Sequence, residues 1–135
     1  MKRRSLLSLL VGLVVLSCSD PNSPATDVTG IWRLQTVNGK ALPFILTEPG
    51  VDKLELMAEE ITLTAPGRVT MSTTFRITDH GNVSSESDPD TGTYTANGST
   101  VSFRFDSDGS TPIGIITGNT MSLDDIGLTF VYRRD

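Results

Sequence analysis

The sequence predicts an all-β fold: an antiparallel up-and-down meander closed into a small barrel of about eight strands. Three observations predict it. From Thr29 onward, short runs rich in β-branched and aromatic residues alternate apolar with polar positions, the period-two signature of half-buried strands. Turn-forming clusters separate the runs at intervals of roughly 8 to 12 residues. No interval holds the dozen or more residues of a parallel crossover, so neighbouring runs pair antiparallel in chain order, and about eight strands lose their exposed edges by closing on themselves.

The first 28 residues stand apart from this pattern. Met1 to Arg4 are basic, and Leu6 to Leu16 form an apolar run of about 11 residues, the length of a signal-peptide core. A membrane-spanning helix needs about 20, and polar Ser17, Ser19 and Asp20 end this run early. It closes in Val15-Leu16-Ser17-Cys18, which resembles the lipobox of bacterial lipoproteins, where a small residue precedes a cysteine that becomes lipid-modified. Residues 1–17 are therefore expected to be a signal peptide, with Cys18 the site of lipid attachment. The alternative is an ordinary secretory signal with an incidental cysteine, but the chain holds no other cysteine with which Cys18 could pair. By the family's sorting rule, Ser19 in place of an aspartate leans towards the periplasmic face of the outer membrane. Residues 18–28, rich in Pro, Ser, Asn and Asp, read as the lipidated residue and a flexible tether.

The remaining stretch, residues 29–135, forms one domain. Alternation assigns inward faces strand by strand: Trp32 and Leu34; Leu54 and Leu56; Ile61 and Leu63; Val69, Met71, Phe75 and Ile77; Tyr94; Val101, Phe103 and Phe105; Met121 and Leu123; Leu128, Phe130 and Tyr132. Ile113 and Ile115 are read as inward too, although Ile116 blurs the period there. Asn38-Gly39 and Asn97-Gly98 suit two-residue type I′ turns. Further breaks are expected at 48–50, 66–67, 79–82, 88–92, 106–109, 118–119 and 124–127. The stretch from Ala41 to Leu46 can be a long connection or a short edge strand, since Pro43 cannot donate to a ladder. For Leu54 to Glu60 a strand alternates better than a helical turn.

With Gly30-Ile31-Trp32 opening the first strand and Tyr132-Arg133-Arg134 closing the last, the domain resembles the lipocalin-like proteins of bacteria, many of them lipoproteins. The resemblance implies that Trp32 lies across the closed end of the barrel after Gly30, with a basic residue of the last strand packed over its indole. Arg134 shares the parity of Leu128, Phe130 and Tyr132 and takes that part ahead of Arg133. The run Gly92-Thr93-Tyr94-Thr95 before Asn97-Gly98 is also similar to small lipocalin-like domains.

Little in the sequence carries catalytic chemistry. The whole chain has 11 basic and 16 acidic residues, and loss of Lys2, Arg3 and Arg4 takes the mature charge to about −8, which disfavours nucleic acid as a partner and leaves a covalent lipid as the route to a membrane. His80 is the single histidine and sits among turn residues. Without a thiol or second histidine in the domain it builds no zinc site or nucleophile couple. The acidic groups Glu86, Asp88 and Asp90, expected within one loop, Asp106 and Asp108, and Asp124 and Asp125 read as turn formers ahead of calcium ligands. No metal, cofactor or enzymatic activity is expected. A barrel of this size is filled by side chains or holds one small ligand. On the second reading the lining candidates are Thr36, Met71, Thr73, Phe75, Tyr94 and Phe103, and Gly92 adds space. The expected function is a membrane-anchored, non-enzymatic barrel binding a small apolar or amphiphilic molecule. Its alternative is an envelope protein-interaction module with a filled barrel.

Overall fold

A computed structural model describes residues 27–46 and 49–135. The expected signal segment, Cys18 and most of the expected tether lie outside the described residues. Among the described residues, ten antiparallel strands form one sheet: β1 (Gly30–Val37), β2 (Lys40–Ala41), β3 (Phe44–Leu46), β4 (Lys53–Thr64), β5 (Arg68–Asp79), β6 (Asn82–Asn97), β7 (Thr100–Phe105), β8 (Ile113–Thr117), β9 (Thr120–Asp125) and β10 (Leu128–Arg134). From β4 to β10 each strand pairs with the next, β10 pairs with β1, and β1 pairs with β4. Eight strands thus close into a barrel, with β2 and β3 as short additions. The closing seam runs from Gly30 opposite Leu63 to Arg33 opposite Glu60. An ion pair from Arg33 to Glu60 crosses it, and a second joins Arg33 to Asp135 after β10; both are exposed, so solvent screens them.

Turn chemistry explains the meander. His80 and Gly81, Ile126 and Gly127, and Asn38 and Gly39 all have positive φ, the type I′ pattern whose twist matches the flanking strands. The Asn97-Gly98 turn differs from the I′ turn expected there. Asn97 pairs with Thr100, so the central residues are Gly98 and Ser99, and only Gly98 has positive φ, the II′ pattern.

Two further expectations are corrected. The break expected at 88–92 does not exist: β6 continues through it, paired with β5 from Asn82 opposite Asp79 to Thr93 opposite Arg68. On its other side β6 is paired, with β7, only from Gly92 onward. Asn82 to Pro89 are exposed, so polar side chains carry no burial cost, and Pro89 sits on an unpaired edge where a missing N–H is tolerated. On β8, Ile113 and Ile115 are exposed while Gly114 and Ile116 are buried. Phe103 and Met121 fill the space inside Gly114, where an added Cβ would lie 3.1 Å from Met121 Sδ.

The core occupies one end of the barrel. Trp32, Ile61, Leu63, Val69, Val101, Phe103 and Met121 are all buried, each such side chain contributing about 1.5–3 kcal/mol by leaving water. At that end Trp32 is fully buried and its indole N–H donates to the carbonyl of Val28 at 3.0 Å. The guanidinium of Arg134 lies 5.0 Å from the indole ring centre and donates to the carbonyl of Asp27 at 2.7 Å and to Oδ1 of Asn119 at 3.3 Å. Gly30 makes room for it. Its φ is +129° and a Cβ there would stand 3.2 Å from Arg134 Cδ, so the Arg134 stem crosses where most side chains would obstruct it.

Candidate functional site

The other end is open. A cavity of about 300 Å³ enters the barrel there, at the low end of the range for small-molecule sites. Its walls are largely apolar, with Leu56, Met71, Phe75, Phe105, Leu123 and Phe130 among them, and Ile61 and Tyr132 lie towards the filled end. Phe103 and Phe105 stack with ring centres 5.8 Å apart. Phe105 lines the cavity, whereas Phe103 belongs to the packed core.

The polar group inside is Glu59, brought there by an irregularity in β4. Leu54 and Leu56 stand opposite Ile77 and Phe75, but after a bulge at Met57 it is Glu59, Ile61 and Leu63 that stand opposite Thr73, Met71 and Val69. One extra residue in a strand reverses the side-chain parity beyond it. Glu59 thereby turns into the barrel. Its Oε2 accepts a hydrogen bond from the Thr73 hydroxyl at 2.8 Å, and its Oε1 accepts a short one from the Tyr132 hydroxyl. Burial pushes the Glu59 carboxyl above its ordinary value, those two bonds oppose the shift, and Asp125 adds to it. Burial, and then the charge of Glu59, raise the Tyr132 phenol well above its usual range. The mouth is acidic, since Asp88, Asp90, Asp108 and Asp125 line it. Asp90 accepts from the backbone N–H and hydroxyl of Ser107, which ties β6 to the loop after β7. Ser110 holds the Asp108 carboxyl below the usual range.

Of the six lining candidates, Met71, Thr73 and Phe75 line this cavity. Thr36, Tyr94 and Phe103 do not. A register shift between Leu34 and Thr36 places Thr36 opposite Val131 and Val37 opposite Phe130, so fully buried Val37 points inward. Tyr94 sits near the filled end, where its backbone N–H donates to the carbonyl of Gly67. Gly92 does not add space: a Cβ there would meet the Arg104 carbonyl oxygen at 2.0 Å, so its bareness serves the close approach of β7. His80 is exposed on its turn, with Nδ1 2.6 Å from Asp79. Among the described residues no group of three or more His, Cys, Asp or Glu is placed to hold a metal ion, and no helix is long and apolar enough to cross a membrane.

Glu59 was the residue that sequence reasoning missed, yet a signal was present. Inward positions are even at Leu54 and Leu56 and odd at Ile61 and Leu63, so an irregularity must lie between them. Placing it before Glu59 turns that carboxyl inward.

A family model described as a lipocalin-like domain matches residues 28–123. The crystal structure of an uncharacterized protein from Bacteroides eggerthii DSM 20697 is similar, with a TM-score of 0.42 and 13% sequence identity over 81% of this chain and 100% of that one. No curated protein matches the chain.

Proposed function

The chain belongs to the lipocalin-like domain family, and from that premise we propose that it is a membrane-anchored, non-enzymatic carrier holding a small apolar or amphiphilic molecule in the open end of its barrel. The observation that supports this is the half-filled interior. Trp32 and its neighbours pack one end, while about 300 Å³ at the other is walled by apolar side chains and left open. Packing density in a barrel that serves only as a scaffold is expected to match the rest of the core. The family is generally non-enzymatic, and the polar groups in the cavity suit binding: Glu59 accepts hydrogen bonds from both Thr73 and Tyr132. We further propose that a lipid on Cys18 holds the domain at the periplasmic face of the outer membrane, the tether setting its distance from the bilayer.

Native mass spectrometry of protein purified without detergent, paired with solvent extraction, tests the carrier reading. A discrete adduct that is extracted into organic solvent is expected. Absence of any adduct, together with no binding of added alkyl compounds, would overturn it.

A further inference from the structure

Resting on the reading of the cavity as a ligand site, we propose that Glu59 recognises a cation, so that the barrel takes an amphiphile carrying a protonated amine. The geometry leads there in three steps. First, both carboxylate oxygens of Glu59 are held by neutral hydroxyls, those of Thr73 on β5 and Tyr132 on β10. Each oxygen keeps a lone pair for a further donor. A bridge meant only to fasten β4 to β5 and β10 needs no charge, because a neutral amide would hold the same two hydroxyls.

Second, among the described residues no Lys, Arg or His forms an ion pair with Glu59, whereas Glu55 and Glu60 on the same strand are paired with Arg76, Lys53 and Arg33. The charged groups facing the cavity from the surrounding elements are all acidic: Asp88 and Asp90 on β6, Asp108 in the loop after β7, and Asp125 on β9. A carboxylate taken out of water is costly unless paired. The protein supplies no partner, and its mouth is set to attract one from outside.

Third, the walls around Glu59 are apolar, with Leu56, Ile61, Met71 and Phe75 beside it on β4 and β5. A ligand that reaches the carboxylate must therefore present hydrocarbon to these residues and an ammonium to Glu59. A free metal ion or a hydrophilic amine would meet only half of the site.

Three octyl compounds that share a tail separate the possibilities: octylammonium, octan-1-ol and octanoate, titrated calorimetrically into the mature protein at neutral pH and 0.15 M salt. Exposed rim charges are screened beyond about 8 Å at this ionic strength, contacts inside the cavity much less. Octylammonium is expected to bind at least about tenfold more tightly than octan-1-ol, with octanoate weakest. Glu59→Gln should bring octylammonium down to the level of octan-1-ol and leave octan-1-ol itself within about threefold. Tyr132→Phe removes a hydroxyl but no charge, and the preference for ammonium should survive it. Equal binding of all three compounds, or an ammonium preference that persists in Glu59→Gln, would overturn the assignment while leaving the carrier reading intact. Failure of every compound to bind would overturn both.

Discussion

Replacing Trp32 by alanine tests how the barrel is closed. The ring is fully buried, so the change removes its burial and leaves a void under the Arg134 guanidinium, a loss of about 3–5 kcal/mol for a core tryptophan. It also leaves the Val28 carbonyl without the indole donor, for a further ~1 kcal/mol. Arg134 is only partly buried, and its stacking over the indole is worth about 0.5–1 kcal/mol, so Arg134→Ala should cost far less. Trp32→Phe keeps much of the burial and should fall between. Urea unfolding followed by far-ultraviolet circular dichroism measures all three variants and stays usable when the single tryptophan is gone. For a domain of this size the alanine variant should lower the Tm by about 12 °C or more. A Trp32→Ala cost under about 1 kcal/mol, or an Arg134→Ala cost equal to it, would refute the reasoning.

Other outcomes follow from the same structure. Glu59 has a raised folded pKa, so it binds its proton more tightly when folded, and its charged form lowers stability as pH rises above the ordinary carboxylate range. Glu59→Gln should therefore stabilise the ligand-free protein at pH 8 and lose that advantage near pH 4.5, as read by urea midpoints. Glu55 behaves oppositely: hydrogen bonds from Arg76 and then Lys53 hold its folded pKa at about 2, so its contribution is present above pH 4.5 and lost as pH falls towards 2. Gly92→Ala should cost about 1–3 kcal/mol or more, since the new methyl meets backbone; a neutral result would show that β6 and β7 are further apart. Ile126 holds a positive φ while 83% exposed, and Ile126→Asn should raise stability by about 1 kcal/mol by relieving that strain. Metabolic labelling with a fatty acid should mark the chain and be lost in Cys18→Ser; incorporation that survives the change would remove the proposed anchor.

The meander was legible because the turns and the alternation in β1, β5, β7, β9 and β10 reflect one local rule, one face in and one face out. It failed where the rule has a non-local exception. The Asp- and Ser-rich start of β6 looks like a loop because both its faces meet solvent, and its pairing with β5 rather than burial keeps it extended. On β8 the apolar residues Ile113, Ile115 and Ile116 cannot all point inward, and the choice depends on the bulk of Phe103 and Met121 on the neighbouring strands β7 and β9. The cavity was half legible for a related reason. Parity tells which face a residue takes but not its height in the barrel, so Met71 and Phe75 were found together with Tyr94 and Phe103, which face inward near the filled end. Bulges hid the rest: one at Gln35 turns Thr36 away, and one at Met57 turns Glu59 in.

Methyl-resolved NMR of the mature protein titrated with octylammonium most directly tests the claim that an amphiphile occupies the open end. The methyl groups of Leu56, Met71 and Leu123, which line the cavity, should shift together and saturate with one ligand per chain. Those of exposed Ile113 and Ile115 on the outer face should stay in place. Shifts confined to Ile113 and Ile115, with the cavity methyls unmoved at saturation, would place the ligand on the outside of the barrel and contradict the account.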